Sequence, residues 1–131
     1  LDVGRAQVSL AEKWCVHIPF SIYLGWITVA TIANATQLLF YLGWNGWGIS
    51  PEIWAVIMLA AGVIISAIMS LTRADIAYSL VLVWAYVGIA VEHASTAIVA
   101  TSAWIGAGLI LVILTIAVIS KYQRQKTMKN A

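Results

Sequence analysis

An imidazole at the edge of an apolar chain can ligate the iron of a haem or the magnesium of a chlorophyll, and this sequence has two, His17 and His93. Nothing beside them in sequence completes a metal site, and the plainer reading of each is a capping or snorkelling histidine. Glu92 precedes His93, a weak pairing for proton or metal chemistry. The seven tryptophans and five tyrosines offer different chemistry, stacking on a flat ligand with a polar edge to fix it. At 100° per residue, Trp26, Ala30, Ala33 and Asn34 share one side of a helix. One large ring, two small side chains and an amide suit a pocket wall or a close helix contact. Tyr23 and Trp84 are the other aromatic groups placed to join such a pocket.

Catalytic signatures are missing. The sequence has no His-Glu-x-x-His, no phosphate-binding glycine-lysine loop, no Cys-x-x-Cys and no nucleophile elbow. The single Cys15 rules out an internal disulfide. Charged residues make up 9% and hydrophobic ones 63%, with mean hydropathy +0.95. A free-standing soluble domain and a nucleic-acid groove are both excluded by that balance.

The elements that must hold these groups are therefore membrane helices. Four stretches, 18–42, 53–71, 76–91 and 98–120, lack Lys, Arg, Asp and Glu and are long enough to span. No stretch alternates polar and apolar residues as a barrel strand would. The expectation is an all-α integral membrane protein with four transmembrane helices. It has an inner-face segment over 1–17 and a basic tail over 121–131.

Arg5, Lys13, Arg73, Lys121, Arg124, Lys126 and Lys129 all fall on one side of such a bundle. The loops 43–52 and 92–97 hold neither Lys nor Arg. Basic loops stay inside, so both termini are expected in the cytoplasm, across a bacterial inner (plasma) membrane. Ser50-Pro51-Glu52 reads as a helix start, and Thr72-Arg73-Ala74-Asp75 as a capping box. Trp14, Trp44, Trp47 and Trp54 suit the interfacial aromatic belts.

Inside the spans, an amide facing lipid is costly, so Asn34 is expected against protein. Gly62, Ser66 and Ser70 recur every four residues and make a small-residue ridge for helix packing. The last span, with Gly106 and Gly108 in an aliphatic run, reads as peripheral and lipid-facing. Asp2-Val3-Gly4-Arg5 is no signal peptide, and with Leu1 first the chain is expected to be processed or the later part of a longer one.

The stretch Tyr23-Leu24-Gly25-Trp26-Ile27-Thr28-Val29-Ala30-Thr31-Ile32-Ala33-Asn34 resembles the last helix of the translocator, or tryptophan-rich sensory, protein family. Tyr23, Trp26, Ala30, Thr31 and Asn34 match that helix in type and spacing. The resemblance extends to Gly43-Trp44-Asn45-Gly46, Ala77-Tyr78 and Trp84-Ala85, as in long bacterial members with extra C-terminal helices. It implies a non-enzymatic bundle that binds porphyrins in an aromatic pocket. It also implies that the chain begins at the family's fifth helix, without the earlier helices that supply most of that pocket. Three helices beyond the basic family fold would then follow.

Two functions remain open. One is a ligand-binding protein for a flat hydrophobic molecule such as a porphyrin, haem or chlorophyll-type pigment. The candidate contacts are Tyr23, Trp26, Ala30, Asn34 and Trp84. The other is an accessory subunit of a respiratory or photosynthetic membrane complex. Its partners would be lipid and other transmembrane helices: a missing N-terminal half, further copies or a larger assembly. Nucleic acid is not among them.

Overall fold

The computed structural model describes residues 9–129, and among them every regular element is helical. Arg5 and the Asp2-Val3-Gly4 stretch lie outside the described residues. Four helices follow one another: α1 Leu10–Tyr41, α2 Pro51–Arg73, α3 Ile76–Glu92 and α4 Ala97–Lys129.

Each helix begins and ends where side-chain chemistry allows. Ser9 opens α1, its Oγ accepting the Glu12 N–H at 3.2 Å. A wide π turn, Lys13–His17, interrupts α1 just before Pro19, whose ring cannot donate to the ladder and would press on the preceding turn. Gly43, at φ +69°, closes the other end, and the Trp44 N–H reaches back to the Leu39 carbonyl at 3.1 Å. Ser50 caps α2 through Ile53 N–H at 3.4 Å, with Pro51 at the first helical position.

The turn between α2 and α3 corrects the capping-box reading. Thr72 is still helical, and its hydroxyl bonds the Ile68 carbonyl at 2.6 Å. Ala74 turns left-handed at φ +50°, and Asp75 is itself the cap of α3, accepting the Tyr78 N–H at 3.1 Å. Two residues therefore reverse the chain.

Length separates the four. Helices α1, α2 and α4 contain 32, 23 and 33 residues and are apolar enough to cross a membrane. Helix α3 has 17, or about 25 Å of rise against a hydrocarbon core of about 30 Å. This shortest helix is also the hub: it packs along α4, carries α1 on another side, and meets α2.

Helix α4 is not peripheral. Val99, Ala103, Gly106, Ala107, Ile110, Leu114 and Ala117 are buried along one face, at spacings of three and four residues. The small members of that face, Ala103, Gly106, Ala107 and Ala117, let neighbouring helices approach closely. The core joins Leu59 of α2, Tyr78, Leu82, Tyr86 and Ala90 of α3, and Ala103, Ala107 and Ile110 of α4. Helices α1 and α2, by contrast, scarcely touch.

Candidate ligand cleft

Because α1 rests on α3 and α2 rests on α4, a cleft of about 290 Å³ runs between α1 and α2. That is near the small end of ligand sites, which range over roughly 300–1,000 Å³, and the cleft is open along one side. Its α1 wall is Thr28, Val29, Ile32, Ala33, Thr36 and Gln37, two adjacent i, i+4 rows. Pro51, Ala55, Met58, Leu59 and Gly62 form the α2 wall. Leu82, Tyr86, Ile89 and His93 of α3 and Val99 of α4 complete it. From Thr28 to Gln37 the wall is about 14 Å long.

The cleft is mostly apolar, with a few polar groups that converge on it. Tyr86 is buried, and its hydroxyl donates to the Leu59 carbonyl at 2.5 Å. The ring fits because both neighbours are glycine. A Cβ on Gly106 would lie 2.6 Å from Tyr86 Cε2, and one on Gly62 would meet the Tyr86 hydroxyl. Tyr78 donates to Thr28 Oγ1 at 3.2 Å, and the Thr28 hydroxyl donates to the Leu24 carbonyl at 2.9 Å. The Thr36 hydroxyl is likewise given to the Ile32 carbonyl, at 2.9 Å. Gln37 also lines the cleft and is exposed.

Below the cleft, polar contacts fasten α1 to α3. Asp75, 6% exposed, takes the Ser21 hydroxyl on Oδ2 at 2.5 Å. Gly25 lets the α1 backbone lie close to α3: a Cβ there would stand 3.1 Å from the Tyr78 carbonyl oxygen. Ser79 donates to the Asp75 carbonyl at 3.0 Å and shares a 2.9 Å hydrogen bond with Ser70 of α2. Ser70 and Gly62 thus pack against α3, while Ser66 Oγ, between them on the ridge, is buried with no hydrogen-bond partner among the described residues.

The aromatic residues singled out from the sequence are placed differently. Trp26 and Trp84 do meet, with ring centroids 5.9 Å apart, but they are half or more exposed and neither lines the cleft. Tyr23 is exposed as well, and Ala30 is half-buried. Asn34, expected against protein, is exposed, and no hydrogen bond reaches its amide among the described residues. The continuous apolar run of α1 gives no phase from which to read which side meets α3.

Trp44 and Trp47 of the α1–α2 loop cluster with Trp54 in the first turn of α2, with centroids 5.2–6.0 Å apart. Trp54 Nε1–H donates to the Gly46 carbonyl at 2.9 Å. Trp14 and Cys15 are exposed.

The histidines separate clearly. His17 is buried at the foot of α1, its Nε2 4.0 Å from Glu12 Oε1, and it does not line the cleft. His93 does line it, at the mouth. Among the described residues no three of His, Cys, Asp and Glu gather into a metal-binding group. Of the cleft residues missed from sequence, Thr28, Thr36 and Gln37 had one signal, the hydroxyls and amide along otherwise apolar rows of α1, while Tyr86 had only its polar hydroxyl within the apolar α3.

The family model described as TSPO-like protein matches residues 2–116. The match takes in α1 to α3 and α4 as far as Ile116, so α2, α3 and the first part of α4, read from sequence as additions, lie inside the region that the family shares. No curated protein and no solved structure matches the chain. With three helices long and apolar enough to cross the bilayer and a family match over most of its length, the chain is an integral membrane protein that belongs to the TSPO-like family.

Proposed function

We propose that this chain is a non-enzymatic membrane protein that binds a flat hydrophobic molecule, of tetrapyrrole type, in the α1–α2 cleft. The observation that carries this reading is the cleft itself: an apolar slot with few polar groups, open on one side. A planar ligand would slide in edge first between Ala33 and Ala55, with Gln37 and His93 at the mouth. In the same reading all four helices cross a bacterial inner membrane, and both termini are cytoplasmic. Lys13, Arg73 and Lys121 support that orientation, since an up-and-down bundle collects them at one end.

The test is titration of the detergent-solubilised chain with protoporphyrin, read by tryptophan fluorescence. Saturable quenching is expected, and Ala33→Phe should weaken it about tenfold by filling the slot. Trp26→Ala should leave it within about twofold, because Trp26 lies outside the cleft. The opposite pattern moves the site to the Trp26–Trp84 face, and no saturable quenching ends the proposal.

Asn34 favours a second reading. An exposed amide within a membrane span gains by meeting a protein partner, as it would in a subunit of a respiratory or photosynthetic complex. Such a subunit should co-purify stoichiometrically with that complex in mild detergent.

A further inference from the structure

We infer that the tryptophan cluster between α1 and α2 is a binding site for an organic cation of quaternary ammonium type. The inference is independent of the cleft and of what fills it. Tryptophan is the aromatic side chain best suited to a cation, because its ring face is electron-rich. The centroids of Trp44, Trp47 and Trp54 form a triangle with sides of 5.2, 5.4 and 6.0 Å. A cation seated about 4 Å above that triangle lies about 5 Å from all three centroids, inside the roughly 6 Å over which a ring face attracts it. The interplanar angles are 78°, 52° and 57°, so no pair is stacked face to face. Trp47 is 76% exposed, and Trp44 and Trp54 are half-buried, which leaves ring surface open to a ligand.

The backbone holds these rings in place before any ligand arrives. Gly46, Trp47 and Gly48 all have positive φ, at +61°, +55° and +78°. A bulky residue adopts that conformation only where its surroundings impose it, and such strain gathers at ligand clamps. The Trp47 N–H donates to Asn45 Oδ1 at 3.1 Å, and the Ile49 N–H donates to the Gly46 carbonyl at 3.0 Å. Trp54 Nε1–H reaches the same carbonyl, and a Cβ on Gly46 would crowd that nitrogen at 2.9 Å. Tryptophans that serve only as a membrane belt need an apolar body and a wet edge. They need neither a left-handed residue nor three rings converging on one point. Charge also favours a cation. Residues 43–52 and 92–97 hold Glu52 and Glu92 and no Lys or Arg, and Glu52 shares the first turn of α2 with Trp54. A quaternary ammonium has no N–H to satisfy, so ring faces and a nearby carboxylate suffice to hold it.

The experiment titrates choline into the full chain in dodecyl maltoside and follows the proton resonance of the choline methyl groups. The neutral isostere dimethylbutanol, with carbon in place of the charged nitrogen, is titrated in parallel. A saturable upfield shift of the choline methyls is expected, with the isostere bound about tenfold more weakly. Trp47→Ala should weaken choline binding about tenfold, and Glu52→Gln about twofold. Trp14→Ala, at the opposite end of α1, should leave it within about twofold. The inference is overturned by no saturable shift, by equal affinity for the isostere, by full affinity in Trp47→Ala or by the same loss in Trp14→Ala. The source of the cation is read by repeating the titration in nanodiscs. Choline binding that persists in phosphatidylglycerol and disappears in phosphatidylcholine identifies a lipid headgroup as the occupant. Binding in both identifies a free cation, and binding in neither overturns the site.

Discussion

The Ser21 hydroxyl donates to Asp75 Oδ2 at 2.5 Å, joining the foot of α1 to the cap of α3 across 54 residues of chain. The same carboxyl holds the Tyr78 N–H through Oδ1 at 3.1 Å, so one side chain starts α3 and secures α1. Since α1 has little contact with α2, this junction bears on whether the cleft keeps its shape. Asp75→Ala should lower stability by about 2–4 kcal/mol, as a lost cap plus a lost buried hydrogen bond. Asp75→Asn should lose about half as much, because an amide still caps. Thermal unfolding in detergent, followed by circular dichroism, measures both; equal losses would show that capping is not part of the role.

Ala74 is held left-handed at φ +50°, a conformation that costs a residue with a Cβ about 1–2 kcal/mol. Ala74→Gly should therefore stabilise the chain by about 0.5–1 kcal/mol, net of glycine's greater freedom when unfolded. A rise in unfolding temperature is the expected result.

Two glycines two residues apart, on opposite sides of α4, should respond oppositely. Gly106→Ala forces a methyl to within 2.6 Å of the Tyr86 ring, an overpacking that should cost about 1–3 kcal/mol. Gly108→Ala meets nothing within 4 Å and should gain about 0.5–1 kcal/mol from helix propensity. Gly106→Ala should also weaken porphyrin binding, since Tyr86 is part of the cleft wall.

Orientation can be measured with Ser95→Cys and Thr127→Cys, each in a Cys15→Ser background, using a membrane-impermeant thiol reagent on intact cells. Ser95 lies in the α3–α4 loop and Thr127 near the end of α4, and both are exposed. Labelling is expected at Ser95→Cys alone, and labelling at both sites or only at Thr127→Cys contradicts cytoplasmic termini.

Trp54→Phe removes the N–H that binds the Gly46 carbonyl, at a cost of about 1 kcal/mol. Near-ultraviolet circular dichroism should fall as the three-tryptophan cluster loosens.

The four helices were legible because apolar length and missing charge report a membrane segment whichever way it faces. Ser50-Pro51 marked a helix start for equally local reasons. Facing was not legible. In α4, Gly106 looked like one more small residue in an aliphatic run, and only the Tyr86 ring opposite explains it. Asn34 looked buried by the cost of its amide, yet α1 turns Ser21 and Gly25 toward α3 instead. The cleft is a gap left by which pairs of helices pack, a property of four segments together that no single segment encodes.

The hub helix α3 is short on the side that the other helices leave most exposed, where only Trp26 of α1 reaches Trp84. Ile76, Leu80, Trp84 and Gly88 form an exposed stripe with one turn between successive members. In the four-crossing arrangement, lipid against this stripe finds about 25 Å of apolar helix rather than about 30 Å. The membrane must thin there or draw polar loop residues inward, at a fraction of a kcal/mol per Å. Bilayer thickness thereby becomes a variable to which this protein responds, with shorter-chain lipids preferred along one flank.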